Sequence, residues 1–169
     1  MTVTITNPLF WSDIPDIDVI RVADQFYMIS TTMHMMPGCP IMKSTDLRNW
    51  NLIGYVYDKL EDNAAHNLQD RQNIYGQGQW ATSLRQHGST FYAAFSCNDT
   101  QQFYVYHTKD IEKGPWVRNV LPGLFHDPAL LFDDGRVYVL YGCGDIRIRE
   151  LTTDLTSVKP GGLDQILLQ

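Results

Sequence analysis

The chain has only three cysteines, Cys39, Cys97 and Cys143, and no Cys-x-x-Cys pair. The usual zinc and dithiol arrangements are thereby excluded, which leaves small strand-packing residues in a reducing compartment as the cysteines' role. No stretch is apolar for long enough to span a bilayer, so no membrane partner is expected. Nor is there a basic run: 13 Lys plus Arg against 19 Asp plus Glu give a net charge of -6, which repels phosphate backbones and argues against nucleic acid. The opening MTVTITNPLFWSDIPD has neither the basic start nor the apolar middle of a signal peptide, so a cytoplasmic location is expected. Gly76-Gln77-Gly78 is followed by neither a helix pattern nor a lysine, so a phosphate loop is not expected there. Low-complexity segments and interdomain linkers are missing as well.

Aromatic residues, in contrast, are plentiful: nine Tyr, seven Phe and four Trp, a composition that suits both strands and sugar-binding clefts. They fall into a module that recurs three times, an aromatic hairpin followed by a strand running into Ser/Thr-x-Asp. The copies are Phe26-Tyr27 with KSTDLRNW, Phe91-Tyr92 with HTKDIEKGPW, and Val137-Tyr138 with LTTDL, which place Asp46, Asp110 and Asp154 at matching positions. Short β-rich repeats of this kind are the mark of propeller blades, and propellers close with about four to eight of them. The fold class is therefore all-β, with blades at about residues 10–57, 80–119 and 127–169 of a single unit, 1–169. A partner is expected to complete the ring, either the remainder of the same protein or a second polypeptide.

Within the first blade, DVIRV and QFYMISTTM read as strands, with further strands at 41–44 and 50–57. Residues 58–79 lack either periodicity and read as a loop on the binding face. In the second blade His87-Gly88 marks a hairpin turn, and FYAAFSC and QFYVYHT read as strands. In the third, Asp134-Gly135 is a hairpin signal of the strongest short-range kind, and LDQILLQ reads as a last strand or the start of another blade.

Two acidic positions matter for chemistry. Asp13, Asp16 and Asp18 stand just before the first strand of the first blade, and Asp127, in FHDPALLF, stands just before the first strand of the third. The first strand of a blade is the innermost, so such carboxylates can converge on one channel mouth. A pair of converging carboxylates is what glycoside hydrolysis requires. Taken alone, the N-terminal aspartates are better explained as a solvated acidic turn, and Asp127 is as well explained by an Asp-Pro turn.

The stretches from Asn7 to Tyr55, YGQGQWATSLRQHGSTFYAAFS and FHDPALLFDDGRVYVLYG closely resemble family 43 of the glycoside hydrolases, which contains β-xylosidases and α-L-arabinofuranosidases. The resemblance implies a five-bladed β-propeller, of which this chain supplies about the first three blades. It further implies an inverting hydrolase acting on xylose- or arabinose-containing oligosaccharides of the plant cell wall. Asp16 matches the general base of a Pro-Asp-Pro motif, although Ile17 replaces the second proline and leaves Asp18 as the alternative. Asp127 matches the carboxylate that orients the general acid and raises its pKa, and Trp80 matches a wall of the sugar pocket. Met33 and His34 are further candidates for touching sugar, with simple packing as the alternative for each. The family's general acid, a glutamate that opens the fourth blade, has no counterpart here, since Glu112 and Glu150 fall in outer parts of their blades. It is expected from outside these residues, and a non-catalytic carbohydrate-binding or assembly half-propeller is the competing expectation. No cofactor is implied. Some members hold a channel calcium ion on ligands from later blades, so the resemblance assigns no metal to this sequence.

Overall fold

The computed structural model describes residues 6–169. These residues form twelve strands and, among them, no helix. β1 (Asp18–Val22), β2 (Gln25–Ile29), β3 (Gly38–Ser44) and β4 (Asn51–Tyr57) make the first antiparallel sheet in chain order. β5 (Gln79–His87), β6 (Thr90–Cys97), β7 (Gln102–Thr108) and β8 (Val117–Pro122) make the second, and β9 (Ala129–Asp133), β10 (Arg136–Tyr141), β11 (Ile146–Leu151) and β12 (Asp164–Leu168) the third. The chain is thus all-β, and its three four-stranded meanders are three blades of a five-bladed propeller. LDQILLQ closes the third blade as its outermost strand.

Alternation along the strands decides how the blades stack. In β6 and β7, Ala93, Phe95, Cys97, Tyr104 and Tyr106 pack toward the first blade, while Ala94, Phe103 and Val105 pack toward the third. The second blade is therefore buried on both faces, which is why FYAAFSC and QFYVYHT read as nearly unbroken apolar runs. Across the first interface the rings of Tyr57, Phe95, Tyr104 and Tyr106 form a stacked ladder with neighbouring centroids 5.5 to 5.9 Å apart. At the two ends of the arc apolar side chains remain open, among them Ile17, Val19 and Leu52 on the first blade and Leu131 and Leu167 on the third.

The repeated Ser/Thr-x-Asp proves to be a turn device. In each blade it leaves the third strand, and the aspartate carboxylate accepts backbone N–H groups just ahead: Arg48 and Asn49 for Asp46, Glu112 and Lys113 for Asp110, Thr156 for Asp154. These donors hold the Asp46 carboxyl well below the usual carboxylate range. The motif thus carries the fold on the outer side of each blade, by the ordinary preference of Asp and Ser/Thr for such turns. Hairpin loops follow similar logic. Asp134 and Gly135 both have positive φ and join β9 to β10 in two residues, whereas the second-blade hairpin turns at Gly88-Ser89, one place beyond the expected pair.

Glu150 in β11 is 1% exposed and is the charged hub of the third blade. It accepts from Arg136 Nε at 3.0 Å, from Lys159 Nζ at 2.7 Å and from the Leu163 N–H at 3.1 Å. These donors, Arg136 first, depress its pKa far below 4.5. A depressed carboxylate contributes stability that is fully present above the unfolded-state pKa and is lost as pH falls from there toward the folded value. Glu150→Gln should therefore lower the melting temperature of the full-length protein at pH 7, with the gap to wild type shrinking as pH falls below about 4. A gap that stays constant from pH 7 to pH 3 would show that packing, not the ion pairs, is what the substitution removes.

Candidate active site

The first strands of the three blades lie side by side, and one polar link repeats between them. The Asp18 carboxylate accepts the Leu84 N–H at 2.9 Å, and the Ser83 hydroxyl accepts the Leu130 N–H at 3.0 Å. Asp18, Ser83 and Ala129 therefore hold equivalent places on β1, β5 and β9. Arg85 reinforces the array, donating from Nη1 to Asp18 at 2.7 Å and from Nε to the Leu130 carbonyl at 3.2 Å.

Two residues before those places, on the first and third blades, stand Asp16 and Asp127. Both are exposed, and both have a left-handed backbone, φ 49° and 45°, uncommon for residues other than glycine. Asp16 Oδ2 accepts the Thr31 hydroxyl at 2.9 Å. Asp127 has His126 beside it, Nε2 to Oδ2 3.5 Å. Asp18 differs from Asp16 in that its carboxylate is committed to the strand array, which leaves Asp16 as the more open of the two candidates for the base.

On the second blade the strand runs further back, to Gln79, through an irregularity between Gln79 and Thr82. Bulges of this kind re-aim side chains near functional sites. Here the residue re-aimed is Trp80, half-buried, with its ring edge-on to His126 at 6.1 Å. A connected path thus runs across the three blades, from Asp16 through Thr31, Thr32, Gln79, Trp80 and His126 to Asp127.

Gln79, missed in the sequence, is the centre of this path. It is fully buried, accepts the Thr32 N–H at 2.6 Å and the Thr32 hydroxyl at 2.8 Å, and donates to the Trp80 carbonyl at 2.8 Å and the Thr82 hydroxyl at 2.6 Å. A glutamine inside GQGQW gives no sign of burial, so only the fold reveals it. Gln79→Leu leaves several buried backbone and hydroxyl groups unpaired, each costing about 1–3 kcal/mol. The expected destabilisation of the full-length protein is about 3 kcal/mol by denaturant titration. A change below about 1 kcal/mol would show that water replaces the amide.

Met33 and His34 lie beyond the end of β2, which stops at Ile29 rather than running on through Met33. The reason is local: the Ser30 hydroxyl and the Thr31 N–H both donate to the Pro15 carbonyl, which ends the ladder and ties the Asp16 turn to it. Met33 then exchanges two backbone bonds with Gln79, 2.9 and 3.0 Å, and is 37% exposed. His34 packs on Tyr75 of the 58–78 loop with ring centroids 4.7 Å apart. Among the described residues, no group of three or more His, Cys, Asp or Glu side chains converges as a metal site.

Comparison with known proteins decides the family. The model for glycosyl hydrolases family 43 matches residues 5–166. The chain belongs to glycosyl hydrolase family 43. Among its relatives are a beta-xylosidase from Formosa agariphila, 36% identical over 135 residues, and a non-reducing end alpha-L-arabinofuranosidase from Bacteroides ovatus, 34% identical over 140 residues. The alignments cover 78% and 81% of this chain but 22% and 26% of those proteins. A solved structure of a bifunctional GH43-CE protein from Bacteroides eggerthii is 45% identical, with a TM-score of 0.92, covering 97% of this chain and 21% of that one. The chain thus spans about a quarter of the length of these curated relatives.

Proposed function

We propose that these blades form part of an inverting glycosidase that removes xylose or arabinose units from plant-cell-wall oligosaccharides. The observation that carries this reading is the pair Asp16 and Asp127, alike in backbone and exposure, at corresponding places before the first strands of two blades. Family membership and the named activities of the relatives support the same chemistry. Asp16 takes the proton of an attacking water: Thr31 occupies Oδ2, which leaves Oδ1 for the water. Trp80 forms a wall for the sugar, and Asp127 orients and tunes a general-acid glutamate supplied from outside these residues. Inversion sets the base and acid carboxyls roughly 6.5 to 9.5 Å apart, with the water between. In this reading the rest of the propeller covers the open apolar ends of the arc, no cofactor takes part, and the unpaired cysteines suit a reducing, cytoplasmic setting.

The test is turnover of 4-nitrophenyl β-xyloside and α-arabinofuranoside by the full-length protein, with the anomer of the first-formed sugar followed by NMR. Release of the inverted anomer supports the reading. A folded protein that binds pentose oligosaccharides and cleaves neither substrate would instead favour a carbohydrate-binding half-propeller.

A further inference from the structure

The buried amide of Gln79 joins two blades, and each of its ends is restricted to one kind of partner. A backbone N–H only donates and a carbonyl only accepts, so Oε1 faces the Thr32 N–H, 2.6 Å away, and Nε2 the Trp80 carbonyl, 2.8 Å away. The two hydroxyls beside it are fixed in sense as well. Thr32 Oγ1 accepts the Cys39 N–H at 3.2 Å and gives its own proton to Oε1 at 2.8 Å. Thr82 Oγ1 accepts from Nε2 at 2.6 Å and gives its proton to the same Trp80 carbonyl at 3.2 Å. Two donors thus converge on one carbonyl. An ionised carboxylate at position 79 would keep the first blade's donors and lose the bond to that carbonyl, and an aliphatic side chain would lose both.

What this array fixes is the direction of the Trp80 ring. The indole Nε1 is buried and has no hydrogen-bond partner among the described residues, so no polar contact of its own aims the ring. The backbone that carries it therefore decides. That backbone leaves the regular ladder: the register with β6 jumps from Gln79 to Thr82, and neither Trp80 nor Ala81 has a Cα partner in it. Residues in such an irregularity lack the ladder's support, and here the bonds from Gln79 and Thr82 to the Trp80 carbonyl supply it. The other end of the amide holds Thr32, the chain neighbour of Thr31, whose hydroxyl donates to Asp16 Oδ2 at 2.9 Å. One side chain thus spans from the strand end that holds Asp16 to the irregular segment that carries Trp80.

We propose that Gln79 is a positioning residue: through the Trp80 carbonyl it sets the pocket wall at a fixed place relative to Asp16, so that sugar binding depends on a side chain that touches no sugar. The proposal rests on the reading of Trp80 as that wall and of Asp16 as the base. Its action falls on binding rather than on the chemical step, because a wall holds the sugar alike before and during bond cleavage.

Two variants of the full-length protein test it. Gln79→Glu keeps an acceptor for Thr32 and, when ionised, cannot donate to the Trp80 carbonyl; protonation restores one donor, and burial favours that neutral form. KM for 4-nitrophenyl β-xyloside or α-arabinofuranoside, whichever is turned over, should rise about tenfold at about pH 8 and less at about pH 5, with kcat changed by less than about twofold. Thr82→Val, which removes the second donor to the same carbonyl, should raise KM in the same sense without that pH dependence. On a Trp80→Ala background neither substitution should raise KM further, since both act through that ring. Additive losses on that background, a fall in kcat with KM unchanged, or no change in either variant would overturn the proposal and leave Gln79 a stabilising residue only. Melting temperature at each pH is the folding control. Calorimetric binding of xylose and arabinose scores the same variants without chemistry. A wild type that binds a pentose and turns over neither aryl glycoside sinks the glycosidase reading alone, whereas one that does neither sinks both.

Discussion

Asp16→Asn in the full-length protein should leave the melting temperature unchanged and lower kcat by about 10²–10⁴-fold, the typical worth of a positioned proton acceptor. The amide keeps the shape, still accepts the Thr31 hydroxyl, and tolerates φ 49°, because Asn enters the left-handed region more readily than most residues. What it loses is the ability to take a proton from water. Asp18→Asn should give the opposite pattern, since that carboxylate accepts the Leu84 N–H and pairs with Arg85. Its loss falls on stability and leaves the proton acceptor in place. A variant pair with these effects exchanged would move the base from Asp16 to Asp18.

Asp127→Asn should lower kcat/KM about 10²-fold on glycosides with poor leaving groups and much less on 4-nitrophenyl substrates. The reason is its proposed action through the general acid: a departing nitrophenolate needs little protonation, so the tuning of the acid matters less. The Asp127 side chain is 62% exposed and lies 3.5 Å from the His126 ring, so the substitution removes little that stabilises the fold. Equal losses on both classes of substrate would exclude a role through the acid.

Much of this arrangement is legible in the chain because the physics is local. DVIRV is β1 to the residue, and β6 and β7 follow from their β-branched and aromatic runs. The Asp134-Gly135 turn follows from the need for two positive φ values. The Ser/Thr-x-Asp repeat was visible too, although its role as a turn clasp appears only once its backbone partners are seen. The early stop of β2 was not legible, because QFYMISTTM continues the strand pattern and only the distant Pro15 carbonyl diverts it. Site residues divide in the same way. Of the proposed site residues, Asp16 and Asp127 can be picked out because each stands before a first strand, whereas Gln79, Thr31 and Arg85 act through partners far away in sequence.

The links from Asp18 to Leu84 and from Ser83 to Leu130 also divide the labour within each blade. They work as a ruler, spacing Asp16 and Asp127 from the first strands alone, while the turns at 46, 110 and 154 close on themselves at the periphery. Change is therefore cheap at the rim and dear at the hub. A short insertion into the 45–50 turn, between the third and fourth strands of the first blade, should leave the spacing of the two aspartates intact. A single added residue between Trp80 and Ser83 would shift the whole scale.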